Sequence, residues 1–320
     1  MMNEKRRKTR RKTRGKSKSK NNKKIYKKNY KKTLKRVKKP RRKNYKKNSC
    51  APKKKDEMLS FSCYTPEVLY KMRTIWNKRH PDAMIKTKNL EEIWMKLGEY
   101  MNETCDREAC WIKSNLFKNE IEEKEGMEMF SPKSPESWKR NINEWLSSVD
   151  ILKFMKQYEK AYHCFEFLGP SPIDFDTHVA YGKCVWEDLC NFKLSDTISR
   201  GKKKIGIVFN LDPHYKSGSH WVAVFINCNK KEVYYFDSYG DRCPTDIRRF
   251  IRKVENQSQK MGKKYTYKSN DYRHQYGNSE CGMYCLYFIT QLLKDASFSK
   301  FNKRIPDKKM ENLRYKYFNV

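Results

Sequence analysis

Four polar residues stand where a chain could assemble thiol-dependent acyl transfer. His220 opens the apolar run 220–226, directly after the turn Ser217-Gly218-Ser219. Asp237 closes the next apolar run, 233–237. Gln275 lies in the polar loop 272–280, and Cys281 follows that loop at the head of an apolar stretch with helical spacing. A cysteine attacks as the thiolate, and an ordinary thiol ionises at about pH 8.5. Two devices favour the thiolate: a neighbouring imidazolium, and a helix N-terminus whose unpaired N–H groups carry partial positive charge. Cys281 has the second by position, and His220 supplies the first if the sheet edge faces that helix. The histidine then needs a partner that sets its tautomer and favours its charged form, a role for Asp237. Acyl transfer also needs donors for a developing oxyanion. The Gln275 amide and the Cys281 backbone N–H are candidates, and Gly282 has no Cβ to hold a substrate backbone away.

These residues need particular elements beneath them. The runs 205–211, 220–226 and 233–237 read as strands, and the polar turn 227–232 joins the last two as a hairpin. Pairing Ile226 with Val233 sets His220 opposite Tyr239, with Asp237 one side-chain step away on the adjacent strand. Residues 244–259 read as a helix, 264–269 as a strand and 281–293 as an apolar helix. Upstream, Pro66 starts a helix to about Arg79, with Pro81 ending it, and Asn89 caps a second one. Residues 131–135 (Ser-Pro-Lys-Ser-Pro) read as a linker, 137–162 as helical with a break near Ser147 and Ser148, and 165–176, with Pro170 and Pro172, as a loop. Helices come first and a short sheet flanked by helices follows, which is an α+β chain.

At these residues the chain resembles the Ulp1/adenain-like cysteine proteases of the peptidase C48 type. That group takes in SUMO-deconjugating enzymes, the adenovirus maturation protease, and the maturation proteases of giant and other large DNA viruses, African swine fever virus among them. The resemblance rests on Gly218-Ser219-His220-Trp221, on Tyr234-Tyr235-Phe236-Asp237-Ser238, and on Gln275 followed at Cys281 by Cys-Gly. The order His, Asp, Gln, Cys fits, with 17 residues from His220 to Asp237 and 6 from Gln275 to Cys281. It implies a papain-like/adenain-like core: a short mixed sheet flanked by helices, with the nucleophile at a helix N-terminus. It further implies His220 as base, Asp237 as its orienter, Cys281 as nucleophile and Gln275 as oxyanion donor. Trp221 would line a narrow cleft for small-residue, glycine-containing sites. The implied activity is a thiol endopeptidase that cleaves viral structural polyproteins during virion maturation. The likeness is strongest over 205–294, extends to 138–176, and is architectural over 61–133. No ubiquitin-like recognition insert stands out.

Composition divides the chain. Of 73 Lys and Arg residues, 29 lie in residues 1–55 with a single acidic residue, Glu4, so the formal +36 splits into +28 there and +8 in the rest. The expected partition is a disordered basic tail (1–55), a helical N-terminal arm (56–135) and a catalytic core (136–320). Each tail Lys or Arg that neutralises a phosphate releases a counterion, so the tail reads as a nucleic-acid or other polyanion arm, with Tyr26, Tyr30 and Tyr45 available to stack on bases. DNA is then a tether or activator, and no other cofactor is required. No run of about 18 apolar residues marks a membrane helix, and the charged start has no apolar stretch behind it, which argues against a secretory signal. The expected location is the virion and the host cytoplasm or nucleus. Eleven cysteines in such a chain read as reduced thiols. No CxxC pair occurs, and His80, His163, His178, His214 and His274 do not fall at paired-ligand spacing, so no metal is expected. Two alternatives remain at this level: a deconjugase for ubiquitin-like modifiers, and a nucleic-acid-binding virion protein with an inactive protease-like scaffold. The intact set His220, Asp237, Gln275 and Cys281 favours an enzyme.

Overall fold

Apolar residues fill both side-chain phases of 221–226 and 233–236, so these strands must be buried on both faces. The structure, a computed structural model, describes residues 49–53, 59–105, 107–122 and 126–319. Its sheet is built from β1 (Phe165–Phe167), β2 (Ser171–Pro172), β3 (Lys204–Asn210), β4 (Trp221–Asn227), β5 (Glu232–Phe236) and β6 (Thr266–Ser269). The order is β1-β3-β4-β5-β6, with β2 also on β3. β3, β4 and β5 run antiparallel, and β1, β2 and β6 join in parallel. Ile226 pairs with Val233, the register expected from the turn. The parallel pairs β1 and β2 occupy the stretch read as a proline loop. Their strands are too short to show a period, and Pro172 sits where the ladder is ending, a position proline tolerates.

Helices cover both faces. Trp221, Ala223, Phe225, Tyr234 and Phe236 pack with the helix Cys281–Leu293 and with Ser148–Ala161. Val222, Val224, Ile226, Val233 and Tyr235 pack against Ile247, Phe250, Ile251 and Val254 of the helix Thr245–Lys260. The expected helix over 137–162 is a helix only from Ser148, where Ser147 and Asp150 form a capping box; before it lie a short 3-10 turn (Glu136–Lys139) and extended chain. A C-terminal helix, Asp307–Tyr317, has no counterpart in the sequence reading, because the charged Arg314 is buried on its inner face beside Met310, and its further apolar contacts, Leu313 and Tyr317, alternate with charged residues.

Residues 63–130 hold a separate apolar core around Tyr64, Leu69, Met72, Ile93, Leu97, Trp111 and Phe117. It includes the expected helices Pro66–Arg79 and Leu90–Met101, capped by Thr65 and Asn89. The Ser-Pro stretch is no free linker: Ser131 N–H donates to Ser49 O (2.8 Å), and Ser134 N–H to Asn319 O (3.0 Å). The basic tail lies outside the described residues up to 48. Its described end is held, since Asn319 Oδ1 accepts from Ser49 N–H (2.8 Å) and Cys50 is bonded to Cys63. The expectation of reduced thiols fails for six cysteines. Cys50–Cys63, Cys105–Cys110 and Cys184–Cys190 are disulfides, with Cα atoms 5.1, 5.5 and 6.3 Å apart. Cys164, Cys228, Cys243, Cys281 and Cys285 are free. Among the described residues no helix is long and apolar enough to cross a membrane.

Candidate active site

The site forms where β4, β5 and the helix beginning at Cys281 meet. His220 precedes β4. Its carbonyl accepts from Leu211 N–H (2.9 Å), and Ser219 N–H donates to Asn210 Oδ1 (3.2 Å). Gly218 makes this turn with φ 101°, and a Cβ there would lie 2.5 Å from Asn210 Nδ2. His220 stacks on Tyr239, with ring centroids 4.6 Å apart, the opposition that the hairpin register demands. Its Nε2 stands 2.7 Å from Asp237 Oδ1, and Cys281 lies near enough to the ring to favour its charged form. Burial disfavours the imidazolium, but the hydrogen bonds and charges of Asp237 and Cys281 outweigh it and raise the His220 pKa to about 9.

Asp237 is buried and braced. Its Oδ1 also accepts from Tyr239 N–H (2.9 Å), its N–H donates to Asn270 Oδ1 (2.9 Å), and its carbonyl accepts from Asn270 Nδ2 (2.7 Å). Gln275 is fully buried. Its Nε2 donates to Gly277 O (2.9 Å), an atom that can only accept, which sets the amide orientation; Ser238 Oγ then donates to Oε1 (2.7 Å). One Nε2 hydrogen remains for a further acceptor. Cys281 is the first residue of its helix, whose leading N–H groups have no intrahelical partner.

Trp221 donates its Nε1–H to Leu146 O (3.0 Å) and lines a cavity of about 570 Å³ with Trp145, Pro170, Trp186 and Asn210. Gly282 does not line it. A Cβ at Gly282 would meet Leu146 Cβ at 3.1 Å and Trp221 Cδ1 at 3.4 Å, so the glycine allows the cleft wall to pack on the helix rather than leaving room for substrate. His274, the neighbouring imidazole, is in the core. Its Nδ1 accepts from Ile305 N–H (3.2 Å), and burial pushes its pKa down. Cys285, one turn past Cys281, is buried among apolar side chains, and burial pushes its thiol well up.

Sequence reasoning missed three supports. Asn270 braces Asp237 from both sides, as given above. His214, set aside in the sequence as lacking a paired ligand, lines the cavity with its Nδ1 2.7 Å from Asp174 Oδ2. Glu280, just before Cys281, is clamped by the fully buried Arg314: Nη2 to Oε1 at 2.9 Å and Nε to Oε2 at 3.0 Å. The same guanidinium donates to Ser279 O (3.1 Å) and Glu144 O (2.8 Å) and lies over Trp138. A lone acidic residue and a lone arginine 34 positions apart give no local signal.

Residues 195–319 match the Ulp1 protease family, C-terminal catalytic domain. A protein of Acanthamoeba polyphaga mimivirus named as a thiol protease is 29% identical over 269 residues, spanning 78% of this chain and 86% of its own. The cysteine protease S273R of African swine fever virus is 25% identical over 258 residues, spanning 75% of this chain and 92% of its own; for some isolates it is named a SUMO-1 cysteine protease. The crystal structure of the African swine fever virus pS273R protease superposes with a TM-score of 0.61 at 22% identity, covering 85% of this chain and 96% of that one, a likeness of fold. Over residues 195–319 the chain is thus similar to the catalytic domain of the Ulp1 protease family, and it is a cysteine peptidase.

Proposed function

We propose that this peptidase is an endopeptidase whose nucleophile is Cys281, with His220 as general acid and base, Asp237 as its orienter and Gln275 as an oxyanion donor. The observation that carries the reading is the His220 ring held between Asp237 Oδ1, at 2.7 Å, and the thiol at the helix start. The Cys281 sulfur attacks the scissile carbonyl carbon. The oxyanion takes hydrogen bonds from the spare Gln275 Nε2–H and the Cys281 backbone N–H. His220 gives its proton to the leaving amine as the C–N bond breaks. Water then attacks the thioester, His220 takes its proton, and the sulfur leaves. Trp221 and Trp145 on the cavity wall favour a slim chain, which supports cleavage after small residues, glycine included.

The relatives' viral origin supports viral structural precursors as substrates, processed in the virion or in infected-cell compartments. The name SUMO-1 cysteine protease, carried by one relative, keeps release of a ubiquitin-like modifier as the second reading. The proposed partition is a catalytic core from residue 136, an arm over 56–135 with its own apolar core, and a basic tail over 1–55 that binds DNA or another polyanion and needs no further cofactor. Incubation of the purified protein with a peptide library and with a linear modifier fusion tests the substrate class. Cleavage at internal small-residue bonds, lost in Cys281→Ser, is the expected result. Release of the folded modifier with no peptide cleavage would move the assignment to the deconjugase.

A further inference from the structure

A hairpin and the short helix after it bring three metal-ligating side chains together, away from the thiol–histidine site. His178 and Cys184 face each other across an antiparallel bridge. Val185 N–H donates to Thr177 O (3.0 Å) and Val179 N–H to Lys183 O (2.7 Å), closing the hairpin around them. At its tip Tyr181 and Gly182 take φ of 61° and 72°, the left-handed pair that a tight hairpin turn uses. Cys190 ends the helix Glu187–Cys190. The approach to that helix is tied by Trp186 N–H to Phe175 O (2.9 Å), and the Cys190 carbonyl accepts from Lys253 Nζ (2.6 Å). The ligand atoms of His178, Cys184 and Cys190 all lie within 4.8 Å of one another, with His178 Nε2 3.8 Å from Cys184 Sγ. Spacing alone hides this set, because five residues separate each ligand from the next. The hairpin supplies the convergence.

Two thiolates and one imidazole form a zinc donor set. With Zn–S near 2.3 Å and Zn–N near 2.0–2.1 Å, ligand atoms around a tetrahedral ion stand roughly 3.3–3.8 Å apart; His178 and Cys184 already stand so, and the two sulfurs must part to that spacing once the bond between them is reduced. We propose that His178, Cys184 and Cys190 bind one zinc ion when the two cysteines are reduced, with the fourth position left to water. In the structure Cys184 and Cys190 are bonded to each other, so disulfide and metal are alternative states of one site. A dithiol reductant delivers two electrons and two protons to the S–S bond, is itself oxidised to a disulfide, and leaves two thiols. Zinc then replaces the two thiol protons, which are released. Val185 and Trp186, between the two cysteine ligands, line the cavity beside Trp221, so the ion would pin that wall of the cleft.

Cobalt(II) titration of full-length protein tests this, since thiolate-to-cobalt charge transfer and tetrahedral d–d bands report the ligands directly. Cys281→Ser protein is used, so that the proposed nucleophile cannot bind the ion. After reduction and desalting, one equivalent of cobalt should saturate the bands and zinc should displace it. Cys190→Ser should abolish the one-equivalent signal. His178→Ala, a change at an exposed side chain, should weaken binding at least tenfold. The oxidised protein should show no thiolate band. No charge-transfer band after reduction would overturn the site, as would a band left unchanged by both His178→Ala and Cys190→Ser. Loss of peptide cleavage in Cys281→Ser bears on the proposed nucleophile alone, so the two readings fail separately.

Discussion

Two opposing effects meet at His220. Burial removes water from the ring and favours its neutral form, while Asp237 and the Cys281 thiol favour the charged form and win, raising its pKa to about 9. The sign of the linkage follows. Stabilisation by the charged ring is complete below the ordinary histidine value of about 6.5 and is lost as pH rises through about 9. With His220 as the proposed general acid, the alkaline limb of peptide cleavage is therefore expected near pH 9. Asp237→Asn removes the charge that favours the imidazolium and should move that limb down by more than one pH unit in kcat/KM profiles; an unmoved limb would mean that another group sets it. Gln275→Glu keeps the side-chain volume but replaces the Nε2 donor with an acceptor. If Gln275 serves the oxyanion, kcat should fall by about 100-fold or more with KM little changed, read from initial rates on one peptide. At this scale the sequence was informative for a simple reason. The hairpin register follows from one pairing, Ile226 with Val233, and everything from His220 to Tyr239 follows from that register. Gly282 was misread because an absent side chain does not reveal which neighbour uses the space; Leu146 and Trp221 do.

The elements hold these residues through close approaches that tolerate few substitutions. Gly240 follows the Asp237 turn with φ 79°, and a Cβ there would stand 2.9 Å from the Tyr272 backbone. Gly240→Ala should therefore cost about 2 kcal/mol or more in denaturant unfolding, and should displace the loop that carries Gln275. Arg314 joins the C-terminal helix to the loop before Cys281 and to the chain at Glu144. Arg314→Met leaves the Glu280 carboxylate buried and unpaired, a loss of about 3–5 kcal/mol; adding Glu280→Gln should recover more than half of it. Urea unfolding of the single and double variants checks this, and a neutral single variant would show that the pair does not brace the site. Strands and helices with a strong apolar period were readable in the sequence. The pairs β1 and β2 were not, being too short for periodicity, nor was the helix Asp307–Tyr317, whose buried side includes a charge.

At the scale of the whole molecule, charge and chemistry are separated along the chain. The +28 of residues 1–55 precedes a body of +8 that holds both sheet cores and the proposed catalytic residues. Removing residues 1–48 should flatten the salt dependence of DNA binding and weaken it, while kcat/KM on short peptides stays within about twofold. An equal loss of peptide cleavage would place the tail in the catalytic machinery. Residues 49–53 are kept in that truncation because Ser49 and Cys50 are bonded to Asn319 and Cys63. The disulfides show where reading the chain linearly stops, since no spacing rule foretold Cys50 with Cys63. The central claim is that one of two adjacent buried thiols on the same helix, Cys281 rather than Cys285, performs the reaction. Labelling with a thiol-reactive activity probe, followed by peptide mapping, in Cys281→Ala and in Cys285→Ala tests it most directly. Labelling and peptide cleavage should vanish in the first variant and persist in the second; labelling that persists in Cys281→Ala and vanishes in Cys285→Ala would contradict it.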